Sequence, residues 1–514
     1  MLNARASKEI VVAFMGAVGC GMPRLVNECE NDLVARGYLV CKIKLSDYIK
    51  EELRTSRVEP ASAHYLQYQD IGNSLRKEKS LDILASYAIS RISHFRAARN
   101  PGELETSDPA QKVAYLIDQV KHPQEIKLLR LVYRNLFYAV GVMSTAKDRK
   151  NRLMDDGISE PDANEIMNRD RKESHAYGQQ LEKAFKMADY YVHHPIGDSE
   201  AAKIQLKRFG DIVHGDNKVS PSKEEYAMYV AHSTSLKSTC LSRQVGAAIL
   251  DADSNLIAVG ANDVPAPGGG LYPNDRTQDG RCIQIGHCEN DAQKKKRRLN
   301  ITSGIAKFLS SESLFDNEEI RSRVMEKAEL IADEAYNLSG IGDLIEFSRA
   351  VHAEMDALIS LSRGTSGSSL GGSLYTTTFP CHNCARHIVA AGISKVFYIE
   401  PYEKSLALDS HSDAIALLDY DDQSPSSRGD LVKFIHFSGV APGMYAKVFH
   451  RPDGRKDGGV LIEFSGQEDD QQTKIVREYL DSYRDFELKI SAMFAQDRSA
   501  VAPVVAVVPP VGDS

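Results

Sequence analysis

The sequence predicts an α/β protein built from two successive α/β domains. Residues 9–15 form an apolar run typical of a buried strand, and a glycine-rich turn, an apolar helical pattern and the strand-like run 38–45 follow. Strand, turn, helix and strand in this order indicate the βαβ opening of a parallel sheet. After residue 224 the chain again alternates helix-like and strand-like segments, which predicts a second α/β unit.

The composition is that of an ordinary folded protein. The 514 residues are 42% hydrophobic and 26% charged, with a net charge of −8. A negative net charge excludes a positive field over the whole surface that would bind nucleic acid. A local basic patch remains possible. We find no apolar run of about 18 residues and no secretory signal, so we expect a cytoplasmic protein with no membrane span. Eight cysteines in a chain of this length indicate thiols or a metal site rather than a disulfide scaffold.

Breaks in the pattern divide the chain into three parts. We expect a first domain, an α/β parallel sheet with flanking helices, at 1–215 and a second, α/β/α domain at 216–460. A carboxyl-terminal extension follows at 461–514, and its Ala/Val/Pro-rich stretch after about 497 predicts a disordered tail. The second domain contains a long insertion at about 263–350.

The predicted elements follow apolar runs and their spacing. In the first domain, later strands are expected at 113–117 and 188–192, with charged helical segments near 163–188. In the second domain the predicted order is helix 224–238, strands 245–250 and 256–260, helix 349–363, strand 373–378, helix 382–391 and strand 395–399.

The strongest chemical signal lies in the second domain. His352 and Glu354 are separated by one residue, and Cys381 and Cys384 follow in a P-C-x-x-C pattern. One imidazole and two thiolates bind zinc and leave the fourth tetrahedral position open for water. The two cysteines lie one turn apart at a predicted helix start, where the helix dipole favours thiolate charge. Glu354 then lies close to the metal without being a ligand, where a general acid/base is needed.

The pattern H-x-E followed by P-C-x-x-C is the signature of zinc-dependent nucleobase deaminases, and that class, rather than the spacing, supplies the reaction. In it, zinc lowers the pKa of a water molecule, the hydroxide attacks an amidine carbon, and Glu354 carries the protons. A purely structural zinc site is the alternative. The H-A-E sequence and Pro380 argue against that alternative.

The segments around these residues resemble deoxycytidylate deaminases over about residues 222–415, outside the insertion. The resemblance rests on S-R-Q-V-G-A-A-I at 242–249, G-A-N-D-V-P at 260–265 and L-Y-T-T-T-F-P-C-H-N-C-A-R-H at 374–387. It implies that Asn262 binds the substrate sugar and base. An ordinary turn residue is the alternative for Asn262.

The phosphate contacts are less specific. Arg386 follows the cysteine pair on the same predicted helix, and Lys404 lies beyond the next strand, so each is a candidate for a nucleotide phosphate. Solvated surface charges are the alternative for both. For the basic run 294–298 in the insertion we expect a solvated loop, with contact to nucleic acid or phosphate as the alternative.

The insertion also carries Cys282, His287 and Cys288. Some deoxycytidylate deaminases have a second structural zinc in an insertion, but Cys-x₄-His-Cys is not a familiar metal-binding pattern. We therefore expect one catalytic zinc ion.

The first domain opens with a degenerate phosphate-binding loop. The sequence G-A-V-G-C-G at 16–21 follows a strand and precedes a helix, which is the context of a P-loop. Met22 and Pro23 replace the expected Lys and Ser/Thr. The loop therefore lacks the lysine ammonium that binds phosphate and the hydroxyl that binds Mg²⁺. Any Mg²⁺ would arrive with a nucleoside triphosphate.

Later segments of this domain resemble nucleotide kinases, namely Y-L-I-D at 115–118, D-R-K-N-R-L at 148–153 and A-D-Y-Y-V at 188–192. The resemblance implies a P-loop kinase-like domain with a nucleotide-sensing or assembly role rather than active phosphoryl transfer. A purely structural domain is the alternative. The candidate nucleotide-binding residues are Gly16, Gly19, Gly21, Asp118, Arg149 and Arg152.

The two domains together resemble bacterial antiphage deoxycytidine nucleotide deaminases. This resemblance implies hydrolytic deamination of dCMP and/or dCTP, depletion of dCTP during phage infection, and a homo-oligomer. Two other functions stay open: a cytidine or adenosine deaminase acting on nucleic acid, and a nucleotide or RNA sensor in which the fold only binds. A small regulatory RNA or a protein inhibitor also stays open as a partner.

Overall fold

The structure is a computed structural model. It describes residues 7–53, 61–99, 112–171, 177–196, 199–273, 278–311, 318–364, 367–401, 405–418, 431–450, 456–462, 478 and 480–496. The chain divides into two compact units. The first unit is Met1–Tyr229, Leu418–Ser427 and Ile435–Ser514, and the second is Val230–Leu417 and Arg428–Phe434.

The helices and strands follow one another in this order. The first unit begins with β1 (Ile10–Gly16), α1 (Met22–Ala35), β2 (Leu39–Lys44), α2 (Leu45–Leu53), α3 (Ala61–Glu78), α4 (Ile83–Arg99), β3 (Val113–Asp118), α5 (Pro123–Tyr133), β4 (Phe137–Met143), α6 (Ala146–Asp155), α7 (Glu160–Arg171), α8 (Leu181–Phe185), β5 (Tyr190–His193) and α9 (Ser199–Val213). Next come α10 (Lys223–Ser235), β6 (Gly246–Leu250), β7 (Leu256–Ala261), α11 (Cys282–Ile285), α12 (Glu289–Ser311), α13 (Glu318–Glu326), α14 (Ala328–Leu338), α15 (Ala353–Arg363), β8 (Ser373–Thr378), α16 (His382–Ala390), β9 (Lys395–Glu400), α17 (Ala407–Ser410), β10 (Ile415–Leu418) and β11 (Val432–His436). The last elements are β12 (Gly439–Val440), α18 (Pro442–Phe449), β13 (Lys456–Asp457), β14 (Val460–Leu461) and α19 (Leu480–Gln496).

The first unit is built on a six-stranded sheet with the order β12-β5-β4-β1-β3-β2. The pairings from β2 to β5 are parallel, and β12 joins β5 antiparallel. Every residue of β1 is buried, and α1 and α9 pack on the face that carries Ile10, Val12 and Phe14. The predicted α/β class and the parallel opening are therefore confirmed.

The carboxyl-terminal helix α19 belongs to the first unit and packs against α4 and α5. Arg96 of α4 pairs with Glu9 at 2.7 Å and also with Glu487 of α19, and all three side chains are buried. This division differs from the predicted boundaries at 215 and 460, because residues after 434 return to the first sheet and its helices. The predicted disordered tail after about 497 lies outside the described residues.

The second unit carries the other six-stranded sheet, with the order β10-β11-β9-β8-β6-β7. Strand β6 pairs antiparallel with both β7 and β8, whereas β8 and β9 are parallel. Helix α15 packs on β6 and β7, and α16 lies next to α15. The strands and helices predicted for this region are present, with ends that differ by a few residues.

The insertion folds mainly into α11 to α14, and α12 packs against α13 and α14. The prediction of a loop for residues 294–298 is wrong, because these residues lie inside α12. None of the helices in the described ranges combines the length and the apolar character that a membrane span requires.

His193, the last residue of β5, is a buried titratable group in the first unit. Its Nε2 donates a hydrogen bond to the carbonyl of His436 at 2.8 Å, and burial lowers its pKa to about 4. An imidazole whose pKa is depressed in the folded state stabilises the protein above its ordinary pKa. That contribution is lost as the pH falls through the folded pKa.

We therefore expect the free energy of unfolding to fall by up to about 3 kcal/mol between pH 6.5 and 4 because of His193 alone. His193→Gln keeps a donor for the His436 carbonyl but does not titrate. Urea unfolding at several pH values should show a gap between wild type and His193→Gln that changes across this window. A gap that is constant with pH would contradict the assignment.

Candidate active site and metal centre

The metal-ligand candidates come from the starts of two helices. His352 is the residue before α15, and Cys381 is the residue before α16. The Nδ1 atom of His352 lies 3.3 Å from Sγ of Cys381 and 3.3 Å from Sγ of Cys384. Within the described ranges, these three residues are the set whose possible ligand atoms all lie within 4.8 Å of one another.

The helix start of α16 favours the thiolate form of Cys381. Cys381 caps the helix, because its Sγ accepts a hydrogen bond from the backbone N–H of Cys384 at 3.4 Å. Hydrogen bonds from Cys384 and then from His352 lower the pKa of the Cys381 thiol to about 4. A thiolate is the form that binds metal, so this environment favours a metal-ligating cysteine.

Glu354 lies in the first turn of α15 and is buried. Its Oε2 accepts a hydrogen bond from Sγ of Cys384 at 3.5 Å. Burial raises the pKa of the Glu354 carboxyl above its ordinary value. A raised pKa makes the carboxylate a stronger proton acceptor than an ordinary glutamate, which suits the role of a general acid/base.

Asn262 lies directly after β7 and is also buried. Its Oδ1 accepts from the N–H of Val245 at 2.6 Å, and its Nδ2 donates to the carbonyl of Arg243 at 2.9 Å. The side chain therefore fixes the segment that enters β6. These bonds leave one of the two amide hydrogens for another acceptor, since a primary amide carries two.

Asp356 ties α15 to the same strand end. Its Oδ2 accepts from the N–H of Ala261 at 3.1 Å. The sequence alone assigns no role to this residue. The contact fixes the start of α15 relative to the residue that precedes Asn262.

Most of the candidate active-site residues line a cavity of about 310 Å³. Asn262, His352, Glu354 and Cys381 lie on its wall, and Cys384 adjoins them. The cavity is within the size range of small-molecule sites in proteins. The sequence alone places none of the lining residues from the insertion or from the segment before β6 in this site, although phosphate contact is the alternative for the run that includes Lys294. The charged and amide members of this group are Arg243, Glu289, Asn290, Asp291, Lys294 and Arg349.

Of the two predicted phosphate contacts, the structure describes only Arg386. Arg386 is exposed on α16 and is not among the described residues that line this cavity. Lys404 lies outside the described residues. Their role in phosphate binding stays a prediction.

Cys282, His287 and Cys288, the candidates for a second metal, do not form a metal-ligand cluster within the described residues. His287 is exposed, and its Nε2 lies 3.4 Å from a carboxylate oxygen of Glu289. Sγ of Cys288 lies 3.8 Å from the hydroxyl of Ser242. Cys282 is buried and lines the cavity.

The glycine-rich loop of the first unit is held by protein groups. The backbone N–H of Val18 donates to Oδ2 of Asp170 at 2.6 Å. Nζ of Lys121 donates to Oδ1 of Asp170 at 2.5 Å and to the carbonyl of Gly16 at 3.0 Å. A buried carboxylate therefore accepts from this amide, in a loop type that elsewhere offers its amides to phosphate.

The other predicted nucleotide-binding residues lie in this loop or next to it. Gly19 has φ +79° and leaves no room for a side chain, since a Cβ atom there would lie 2.5 Å from the carbonyl oxygen of Arg149. Gly21, with φ +76°, precedes α1. Arg152 donates to the carbonyl of Gly19 at 3.1 Å. The loop, Arg152 and Asp118 line a cavity of about 780 Å³, and burial raises the pKa of Asp118.

Comparison with known proteins agrees with the site in the second unit. The family model for the cytidine and deoxycytidylate deaminase zinc-binding region matches residues 221–400. The second unit carries a zinc-binding deaminase domain. The chain is therefore an enzyme, a hydrolase of the deaminase class, as the sequence predicts.

Individual relatives match parts of the chain. The deoxycytidylate deaminase of Enterobacteria phage T2 is 27% identical over 193 residues, which is 36% of this chain and 82% of the phage protein. ComE operon protein 2 of Bacillus subtilis is 38% identical over 56 residues, 11% of this chain and 29% of that protein. The dCMP deaminase of cyanophage S-TIM5, solved with dCMP and dUMP, is 19% identical with a TM-score of 0.22 and covers 38% of this chain and 94% of its own.

The geometry of the deaminase site depends on a close approach at Gly260 of β7. A Cβ atom there would lie 2.2 Å from the carbonyl oxygen of Ala353 and 2.3 Å from the N atom of Ala357, both backbone atoms of α15. Gly260→Ala should therefore displace the helix that begins at His352. We expect a loss of about 1–3 kcal/mol in the free energy of unfolding.

Gly304→Ala is the matched control, because a Cβ atom at this position of α12 meets nothing within 4 Å. It should be neutral or slightly stabilising, since alanine is favoured over glycine in a helix. Chemical denaturation of both variants tests the comparison. Equal stability of the two variants would show that α15 does not need the glycine.

Proposed function

We propose that this chain catalyses the zinc-dependent hydrolytic deamination of deoxycytidine nucleotides, dCMP and/or dCTP, to the deoxyuridine nucleotides plus ammonia. The observation that carries the proposal is the buried carboxylate of Glu354 beside a His/Cys/Cys donor set. Both belong to the segment that the deaminase family model matches. The names of the phage relatives support deoxycytidylate as substrate.

The donor set fits zinc. Ligands at ordinary Zn–N and Zn–S bond lengths in a tetrahedral site lie about 3.6 Å apart. The distances from His352 Nδ1 to the sulfurs of Cys381 and Cys384 are 3.3 Å. A zinc ion held there would supply a Lewis acid that makes a water molecule nucleophilic near neutral pH.

Glu354 is proposed to move the protons of the reaction. Water adds its oxygen to C4 of cytosine, and the exocyclic amine leaves as ammonia. The carboxylate takes a proton from the attacking water and gives it to N3 of the ring. It then takes the proton of the new C4 hydroxyl and delivers it to the amine, which leaves as ammonia while the C4 carbonyl forms. The raised pKa of Glu354 suits both halves of this task. Burial also keeps bulk water from competing for the carboxylate.

Asn262 is proposed to orient the sugar and base of the substrate. Its contacts to Arg243 and Val245 hold the amide in one position on the cavity wall. The amide hydrogen that these bonds leave can donate to a substrate oxygen. Because this donor is held in place before the substrate binds, it favours binding of the substrate in one orientation relative to Glu354.

The first unit is proposed to be a P-loop kinase-like domain that senses nucleotide or supports assembly rather than transferring phosphate. Met22 after the glycine loop and the Asp170 carboxylate on the amide of Val18 support this, because both oppose phosphate binding there. The resemblance to antiphage deaminases supports a cytoplasmic homo-oligomer that depletes dCTP during phage infection, with an RNA or protein as its regulator.

Replacing Glu354 tests the proposed reaction. Glu354→Gln should lower the rate of ammonia release from dCMP and dCTP by about 10²–10⁴-fold, because the amide cannot carry protons. The zinc content should remain that of the wild type, because Glu354 is not a ligand. Glu334→Gln, an exposed carboxylate in α14, should retain full activity.

The same assay should include CMP, CTP and a cytosine oligonucleotide. Release of ammonia from the oligonucleotide alone would contradict the proposal and favour a nucleic-acid deaminase. Full activity of Glu354→Gln would show that this carboxylate does not carry the chemistry.

A further inference from the structure

The insertion helix α12 forms part of the wall of the deaminase cavity. Asn290 and Lys294 both line the cavity that also contains His352 and Glu354. They are four residues apart in α12, and side chains at this spacing lie on the same face of a helix. One face of the insertion therefore brings an amide and an ammonium group to the space beside the zinc ligands.

The amide of Asn290 has an unsatisfied acceptor. Its Oδ1 is buried and accepts no hydrogen bond from the part of the chain that the structure describes. Buried polar atoms in folded proteins are nearly always paired, and an unpaired one is costly. A ligand with a hydroxyl or amino donor would satisfy this oxygen.

Lys294 is the member of the basic run 294–298 that lines the cavity. Its ammonium donates to the carbonyl of Gly342 at 2.8 Å, which leaves further N–H donors for a ligand. The run's arginines have other contacts: Arg297 lies 4.5 Å from the ring centre of Phe347, and Arg298 pairs with Asp333 at 2.6 Å.

Lys294 is one of three cationic side chains on the cavity wall, together with Arg243 and Arg349. Glu289 and Asp291 line the same cavity and offset part of this positive charge. The cations together attract an anion, and a direct contact fixes its position. A phosphate would be held by hydrogen bonds to the ammonium itself, as charge-assisted bonds are short and directional.

We propose that Lys294 binds the 5′-phosphate of the nucleotide substrate and that Asn290 accepts a hydrogen bond from its 3′-hydroxyl. This rests on the proposed deamination of deoxycytidine nucleotides. Side chains one helical turn apart have Cβ atoms about 5–6 Å apart, a spacing that suits two groups on one deoxyribose phosphate. The insertion thus selects phosphorylated substrates, whereas His352, Glu354 and the cysteines carry out the reaction.

Steady-state kinetics with dCMP and deoxycytidine test the phosphate contact. In Lys294→Met the preference for dCMP over deoxycytidine, taken as the ratio of kcat/KM values, should fall at least about tenfold. The change should lie mainly in KM for dCMP. Lys296→Met removes the same charge from an exposed position of the run and should behave like the wild type. Lys294→Arg should restore most of the preference.

The hydroxyl contact has its own test. Asn290→Ala should weaken the use of dCMP several-fold but leave the use of 2′,3′-dideoxycytidine monophosphate unchanged, because that compound lacks the 3′-hydroxyl. An equal loss on both compounds would overturn the role of Asn290.

If Lys294→Met loses activity equally on dCMP and deoxycytidine, Lys294 only anchors α12 at Gly342 and the phosphate assignment is overturned. If Lys294→Met keeps full activity on both compounds, the assignment is overturned as well. If the wild type deaminates neither these compounds nor dCTP, the proposed function itself fails and this inference fails with it. That result is distinct from an active wild type with unaltered variants.

Discussion

The candidate site depends on one constraint: the first residues of α15 and α16 have to lie close enough for one imidazole to reach two sulfurs. His352 and Cys381 each precede a helix, and His352 Nδ1 lies 3.3 Å from both sulfurs. Gly260 allows α15 to approach β7, and Asp356 ties that helix to the strand end. A small shift of either helix would separate the ligand set and would move Glu354 with it.

This constraint also explains the electrostatics of the site. Helix starts offer unpaired N–H groups, which favour thiolate charge at Cys381. Burial of Glu354 raises its pKa, so one small region holds a stabilised thiolate and a carboxyl group that can be protonated. A site that must bind a cation and also exchange protons needs both conditions.

The residues that carry the chemistry could be predicted because their spacing is local. H-x-E and P-C-x-x-C place the donors of each motif within one turn of a helix start, so each half of the site can be recognised from a short stretch of sequence. The pairing of β12 with β5 could not be predicted, because it joins segments far apart in the chain. The Arg96–Glu487 pair that fastens α19 is likewise a long-range contact without a local pattern.

The insertion shows the same limit at the site itself. Residues 294–298 look like a solvated basic loop in the sequence, yet they lie in α12 and bring Lys294 to the cavity. The four-residue spacing of Asn290 and Lys294 carries meaning only once the helix and its neighbours are known. In the first unit the reverse holds, since Met22 already indicates a degenerate loop and the Asp170 contact agrees with it.

The measurement that tests the central claim most directly is the deamination of dCMP and of dCTP in water enriched in ¹⁸O, with the products analysed by mass spectrometry. Hydrolysis at C4 predicts a deoxyuridine nucleotide that carries one solvent oxygen, with one ammonia released per nucleotide formed. A protein that yields no labelled deoxyuridine nucleotide from either compound would contradict the account.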